Sequence, residues 1–205
     1  MWLKALGTTA FVTLFFQVYL YVLRNPGGTV TTMPLTVFDE WVGFHPETFW
    51  LYASLWFYTS LPVAFLRSLR ELLGYGAAIF LVCAIGIAVF IFHPTAVPVF
   101  DIDWGQYPGF AILKGIDAPG NAFPSLHVAT AVFSAIWLDR QLAETGAGRG
   151  VRGFNALWCA GIVHSTMATR QHVFLDVAGG LVLGAVLGWL SLRLVPVWAG
   201  VVKRK

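Results

Sequence analysis

The chain has 205 residues and a formal net charge of +3, with 58% hydrophobic and only 11% charged residues. Disordered chains combine low hydrophobicity with high charge, so this composition excludes intrinsic disorder. Soluble domains carry about 25% charged residues, so it also argues against a soluble protein. The sequence pI is about 9.0. The basic residues that raise the pI are distributed as in a membrane protein, with most of them on one side of the predicted spans. We therefore expect no nucleic-acid partner.

The long apolar runs predict an all-α fold, a polytopic membrane protein with a bundle of six transmembrane helices. A bilayer core about 30 Å thick needs about 20 apolar residues of helix, and unpaired strands are excluded there because each unsatisfied backbone group costs several kcal/mol. We predict one domain, residues 1–205, with spans at about 5–23, 48–66, 72–92, 122–144, 153–169 and 172–192. The first span is expected to be retained, since its apolar run is too long for a signal peptide.

The distribution of basic residues predicts the orientation of these spans. Ten of them lie on the side of the two termini: Lys4, Arg67, Arg70, Arg140, Arg149, Arg152, Arg193, Lys203, Arg204 and Lys205. Three lie on the opposite side: Arg24, Lys114 and Arg170. Because cytoplasmic loops are enriched in Lys and Arg, we expect an integral membrane protein with cytoplasmic termini, in the cytoplasmic (inner) membrane if the source is bacterial. On the opposite side, residues 34–42 are suited to lying in the membrane interface.

Ionisable residues inside a membrane span are costly, so each of them marks a candidate functional site. His127 lies at the start of the fourth span, and Arg170, His172 and Asp176 lie at the start of the sixth. The charge count places both starts on the extracytoplasmic face, where we expect the active site. We interpret His164, about two turns from Arg170, as a hydrogen-bonded interior histidine.

The spacing of His172 and Asp176 places them within side-chain reach on one helix face. A carboxylate bonded to one imidazole nitrogen fixes the tautomer and leaves the other nitrogen free as a base or nucleophile. Together with His127, such a pair suits phosphoryl transfer through a phosphohistidine.

Two further features of the sequence suit the binding of an anion at these helix starts. Pro124 is a normal residue at a first helical position, and the free N–H groups that follow it, with the Ser125 hydroxyl, form an anion-binding helix end. Arg170 adds a guanidinium whose geometry suits phosphate.

Other interpretations of these residues stay open at the level of sequence. His172 and Asp176 could form a structural polar pair, or could bind a metal with His127. A small lipid transporter could use the pair as a proton relay, although transporters often show inverted repeats and broken helices, which this sequence does not show.

The motifs resemble those of the type 2 phosphatidic acid phosphatase superfamily. Pro124-Ser125-Leu126-His127 is similar to its second motif, and Ser165-Thr166 with His172 and Asp176 is similar to its third. The residues of these two motifs are most similar to those of the inositol phosphorylceramide synthase-like branch of the superfamily. The resemblance implies a metal-independent enzyme without a cofactor, acting on a membrane lipid. It also implies that His172 attacks phosphorus, Asp176 orients His172, and His127 protonates the leaving group.

The sequence departs from the family pattern in two places. The first motif, Lys-x6-Arg-Pro, is absent, and the sequence at its place begins at His93; the third-motif arginine is replaced by Thr166. The usual phosphate clamp is therefore depleted, which fits a phosphodiester better than a phosphomonoester dianion. We expect the substrate-binding residues to be Arg170, Ser125, Lys114 and His93.

The function that these expectations favour is a lipid phosphate or polyprenyl pyrophosphate phosphatase. The alternative is a lipid headgroup phosphotransferase, similar to inositol phosphorylceramide or sphingomyelin synthases. The two differ in whether water or an alcohol resolves the phosphohistidine. The sequence leaves open the lipid, the acceptor and whether the chain forms a homo-oligomer.

Two structural expectations connect the spans to the site. Gly180, Gly184 and Gly188 continue the face of Asp176 at i,i+4 spacing, which predicts close packing of the sixth helix on the fourth. For the two motifs to lie at one depth, the fourth helix should continue past Asp139 to about Glu144.

Overall fold

The computed structural model describes residues 2–107, 109–110 and 120–194, and the chain is mostly helical. In chain order the helices are α1 (Trp2–Arg24), α2 (Val37–Val42), α3 (Phe49–Ala53), α4 (Leu55–Tyr58), α5 (Leu61–Phe65), α6 (Leu69–Phe92), α7 (Leu126–Glu144), α8 (Arg149–Ala168) and α9 (Phe174–Leu194), with 3₁₀ turns at Pro46–Thr48 and Trp104–Gln106. Two short strands, β1 (Thr31–Thr32) and β2 (Thr95–Ala96), pair in parallel. The predicted helical class is confirmed.

Three helices are long and apolar enough to cross a membrane: α1 over Lys4–Arg24, α6 over Leu69–Phe92 and α9 over Phe174–Leu194. They coincide with the first, third and sixth predicted spans. Helices α7 and α8 have 19 and 20 residues and are less apolar than these three. They correspond to the fourth and fifth predicted spans.

The second predicted span, residues 48–66, is a series of short helices, α3, α4 and α5, rather than one continuous helix. Hydroxyl groups at the breaks donate to carbonyls one turn earlier: Ser54 to Leu51 at 2.6 Å, and Ser60 to Phe57 at 2.6 Å. Such local hydrogen bonds compete with the regular helical ladder and bend a helix. Pro62 follows the second break and opens α5.

Helix α7 begins at Leu126, and Ser125 is its N-cap, since the Ser125 hydroxyl accepts a hydrogen bond from the backbone N–H of Val128 at 3.3 Å. The expectation that Pro124 is the first helical residue is therefore wrong by two positions. The helix ends at Glu144, which is the end that the comparison of helix lengths predicted.

Helices α7 and α9 make the most extensive contact between helices in the described part of the chain. The glycines of α9 face α7, as predicted. A Cβ built on Gly180 would lie 2.5 Å from the carbonyl oxygen of Ser125, and one on Gly184 would overlap the carbonyl oxygen of Ala129. A side chain at either position would push the helices apart, so these glycines permit the close approach.

The two ends of the helical bundle have different connections. At one end Lys4 donates to the carbonyl of Leu66, and Arg152 pairs with Asp139 at 2.7 Å. At the other, β1 and β2 pair beside the start of α7, where the N–H of Phe123 donates to the Thr95 hydroxyl at 2.8 Å. We call this second end, which holds the starts of α7 and α9, the site end.

Candidate active site

The two motif histidines face each other at the site end. His127 is in the first turn of α7, and His172 lies in the connection between α8 and α9. Their ring centroids are 5.7 Å apart. His172 is 8% exposed and His127 is half-buried, so the protein covers much of both side chains.

Asp176 lies beside the His172 ring, with its Oδ2 atom 3.5 Å from Nδ1 of His172. His172 precedes α9 rather than belonging to it, so the predicted placement of both residues on one helix face is wrong, although the predicted proximity holds. Asp176 is fully buried, and its Oδ2 also accepts from the N–H of Val173 at 3.1 Å. The carboxylate therefore caps the start of α9, and Nδ1 rather than Nε2 is the His172 nitrogen beside it.

Backbone hydrogen bonds join the two motifs. The N–H of Ser125 donates to the carbonyl of Asp176 at 3.0 Å. The N–H groups of Gln171 and His172 both donate to the carbonyl of Thr166, at 3.1 and 3.0 Å. Thr166, which replaces the arginine of the third motif, is fully buried and supports the His172 connection through its backbone.

Ser125 and Arg170, two of the predicted substrate-binding residues, are both engaged with the protein. Ser125 is fully buried and its hydroxyl caps α7. Arg170 adopts a left-handed conformation, with φ of 56°, which is uncommon outside glycine. Its Nη1 donates to the carbonyl of Asp39 at 3.0 Å, and its guanidinium lies 4.8 Å from the ring centroid of Phe100.

The two other histidines that the sequence analysis singled out, His93 and His164, are both exposed. His93 is exposed and forms the C-cap of α6. Lys114 lies outside the described residues. His164 is exposed on α8, beside an open groove of about 470 Å³ lined mainly by apolar side chains, so its interpretation as an interior histidine is wrong.

The sequence analysis missed Tyr52. Its hydroxyl lies 2.8 Å from Nε2 of His127, and the two rings stack at a centroid distance of 4.9 Å. Trp56 contacts the same imidazole edge-on at 6.1 Å. Tyr52 is separated from His127 by 75 positions, and no local pattern in the sequence indicates this contact.

Asp39 was also missed. It is 1% exposed, and its Oδ1 accepts from the N–H of Phe174 at 2.7 Å. Its Oδ2 accepts from the N–H and the hydroxyl of Thr36. The spacing of Thr36 and Asp39 is that of a capping box, which is a signal for the start of α2 but not for its docking at the start of α9.

The arrangement supplies the parts for nucleophilic catalysis. A carboxylate lies beside one nitrogen of His172, and a second imidazole faces it at the distance of one intervening group. Among the described residues, no group of three or more His, Cys, Asp or Glu side chains is placed to hold a metal ion.

Comparison with known proteins identifies a family whose sequence model covers the residues of the site. The family model of the PAP2 superfamily matches residues 67–199, which is more than half of the chain and includes His127, His172 and Asp176. Searches of curated proteins and of solved structures gave no significant match. The match agrees with the resemblance of the second and third motifs, and the chain therefore belongs to the PAP2 superfamily, whose members are phosphatase-type enzymes.

Proposed function

We propose that the chain is an integral membrane enzyme that cleaves a lipid-linked phosphate ester through a phosphohistidine on His172. The observation that carries this proposal is the pair of facing imidazoles, 5.7 Å apart, with Asp176 3.5 Å from Nδ1 of His172. Nε2 of His172 would attack phosphorus while the bond to the leaving oxygen breaks. His127 would give that oxygen a proton, and His172 would keep the phosphoryl group until water removes it.

A lipid phosphate or polyprenyl pyrophosphate phosphatase is the first candidate for this activity. A headgroup phosphotransferase, in which an alcohol replaces water, is the second, and one observation favours it. Thr166 stands where the family has an arginine and is fully buried, and Arg170 is held by Asp39 and Phe100. A site in which the described residues offer few free cations suits a phosphodiester, which carries less charge than a phosphomonoester dianion.

We also propose that the chain crosses the membrane six times, with both termini in the cytoplasm and the site end at the extracytoplasmic face. Two kinds of contact support this arrangement. Basic residues from separate segments lie at the end opposite the site, where Lys4 donates to the carbonyl of Leu66 and Arg152 forms an ion pair with Asp139. Gln141 of α7 donates to the carbonyl of Pro62 at that end at 3.0 Å, so the 48–66 segment reaches across the bundle. The bent segment would count as the second span.

An assay on the purified protein separates the candidates. Phosphatidic acid, a phosphomonoester, and phosphatidylinositol, a phosphodiester, each carrying a labelled phosphate, are incubated in detergent micelles with and without an added alcohol acceptor such as ceramide. Phosphate release without the alcohol supports the phosphatase, and transfer that requires the alcohol supports the phosphotransferase. His172→Ala should abolish either reaction, whereas His164→Ala, on the exposed face of α8, should not. Full lipid transport by His172→Ala without any turnover would instead support a transporter.

A further inference from the structure

The Tyr52 phenol contacts the imidazole of His127 in a manner that parallels the contact of Asp176 with His172. The Tyr52 hydroxyl lies 2.8 Å from Nε2 of His127. In the described part of the chain the ring forms its hydrogen bond through this nitrogen, and no side chain there bonds to Nδ1. Each histidine thus has one ring nitrogen beside a side chain of the protein and one nitrogen directed elsewhere.

Tyr52 is held firmly enough to fix the orientation of a neighbour. It is 2% exposed, and its ring is nearly parallel to the imidazole, at an interplanar angle of 26°. The helix that carries it, α3, is docked on α8: Leu51 fills the space above Gly161, where a Cβ would lie 2.8 Å from its side chain, and Trp158 donates to the Ser54 hydroxyl at 2.9 Å. These contacts hold the Tyr52 phenol at the start of α7.

The chemistry of the partner differs between the two histidines. A carboxylate stabilises a positive charge on the imidazole beside it, which suits a nucleophile that becomes positively charged as it attacks. A phenol is neutral at physiological pH. It orients the imidazole without adding a negative charge that would keep the proton on the ring, which suits a group that must release its proton to a leaving oxygen.

We propose that Tyr52 is a positioning residue that holds Nε2 of His127, so that Nδ1 of this ring exchanges the proton with the substrate oxygens; this rests on the proposed function. In the cleavage step the bond between phosphorus and Nε2 of His172 forms and the bond to the leaving oxygen breaks. That oxygen takes the proton from Nδ1 of the His127 imidazolium. In the second step water gives a proton to Nδ1 while its oxygen bonds to phosphorus and the phosphorus–nitrogen bond breaks. Nε2 keeps its proton and donates it to the phenol oxygen throughout.

The test compares Tyr52→Phe with Tyr58→Phe. Tyr58 is a matched control because it is fully buried and its hydroxyl donates to Oδ1 of Asn155 at 2.6 Å, away from the two histidines. With phosphatidic acid in micelles as the probe, Tyr52→Phe should lower kcat about tenfold with KM unchanged, the effect of one hydrogen bond. Tyr58→Phe should leave kcat unchanged. In a His127→Ala background, Tyr52→Phe should cause no further loss, since the phenol acts through the ring.

A second measurement is independent of turnover. In protein labelled with ¹⁵N-histidine, NMR should show neutral His127 as the Nε2–H tautomer in the wild type and in Tyr58→Phe, and as a mixture of tautomers in Tyr52→Phe. An unchanged tautomer in Tyr52→Phe would overturn the proposal, even if kcat fell, because the loss would then be structural. A wild-type protein without turnover would instead refute the proposed function, while the tautomer comparison would still decide whether Tyr52 holds His127.

Discussion

The backbone N–H of Phe174 donates a 2.7 Å hydrogen bond to Oδ1 of Asp39, which lies 135 positions earlier in the chain. Asp39 thereby connects α2 to the first turn of α9, directly after His172. The two aromatic rings beside this bond, Phe38 and Phe174, stack at a centroid distance of 4.4 Å. The short helix α2 therefore holds the start of α9, directly after the connection that carries His172.

Asp39→Ala should therefore destabilise the protein and lower its activity together. The substitution leaves the N–H of Phe174 and the groups of Thr36 without their acceptor in a buried place, which costs about 1–3 kcal/mol. Thermal unfolding in micelles and the phosphatidic acid assay measure the two effects. Glu40→Ala is the matched control, since Glu40 is exposed on the same helix. Equal stability and equal activity of the two variants would show that Asp39 does not hold α2 on α9.

Gly184→Leu should damage stability and activity at once. Even a Cβ at this position would overlap the carbonyl oxygen of Ala129, so the larger side chain must separate α9 from α7 and move His172 away from His127. Overpacking of this kind costs about 1–3 kcal/mol or more. Gly76→Leu on α6, where a Cβ would meet nothing within 4 Å, should behave as the wild type. Normal turnover by a well-folded Gly184→Leu protein would contradict the role of the glycine face.

Removal of metal ions should leave turnover unchanged. The donors around the two imidazoles are one carboxylate and one phenol, and the described residues offer no larger cluster of metal ligands. Dialysis against EDTA followed by the phosphatidic acid assay tests this expectation. A loss of activity that is restored by a divalent cation would show that the metal-independent mechanism is wrong.

The proposed topology predicts which side of the membrane each loop faces. A cysteine introduced by Glu40→Cys should react with a membrane-impermeant maleimide from outside intact cells, because Glu40 is exposed at the site end. One introduced by Gly150→Cys, exposed at the opposite end, should react only after the cells are opened. The two native cysteines, Cys83 and Cys159, are buried and give a low background. The reverse labelling pattern would show that the chain has the opposite orientation in the membrane.

The sequence predicted the features that depend on helical periodicity and helix length. The i,i+4 glycines located the face of α9 that packs on α7, and the lengths of the two helices located the end of α7 at Glu144. The pairing of the motif histidines followed from the same logic, since both motifs lie at the starts of helices on one side. These features are repeated or local, so a single sequence contains them.

The features that the sequence did not predict depend on contacts between distant segments. Tyr52 reaches His127, and Asp39 reaches Phe174, only after α2 and α3 have docked on the helical bundle. The interruption of the 48–66 segment was missed because its apolar residues continue without a break, whereas the cause lies in hydroxyl side chains, such as Ser54 and Ser60, and in Pro62. A hydropathy pattern does not show where side-chain hydroxyls compete with the backbone hydrogen bonds of a helix.

The central claim is that His172 carries the phosphoryl group, and mass spectrometry tests it directly when the reaction is quenched and digested at alkaline pH, where phosphohistidine is preserved. After a brief incubation with phosphatidic acid, phosphate should be found on the peptide that contains His172. It should be absent in His172→Ala and should accumulate in His127→Ala if release of the phosphoryl group is slowed more than its formation. Phosphate on another residue, or turnover by His172→Ala, would contradict the mechanism.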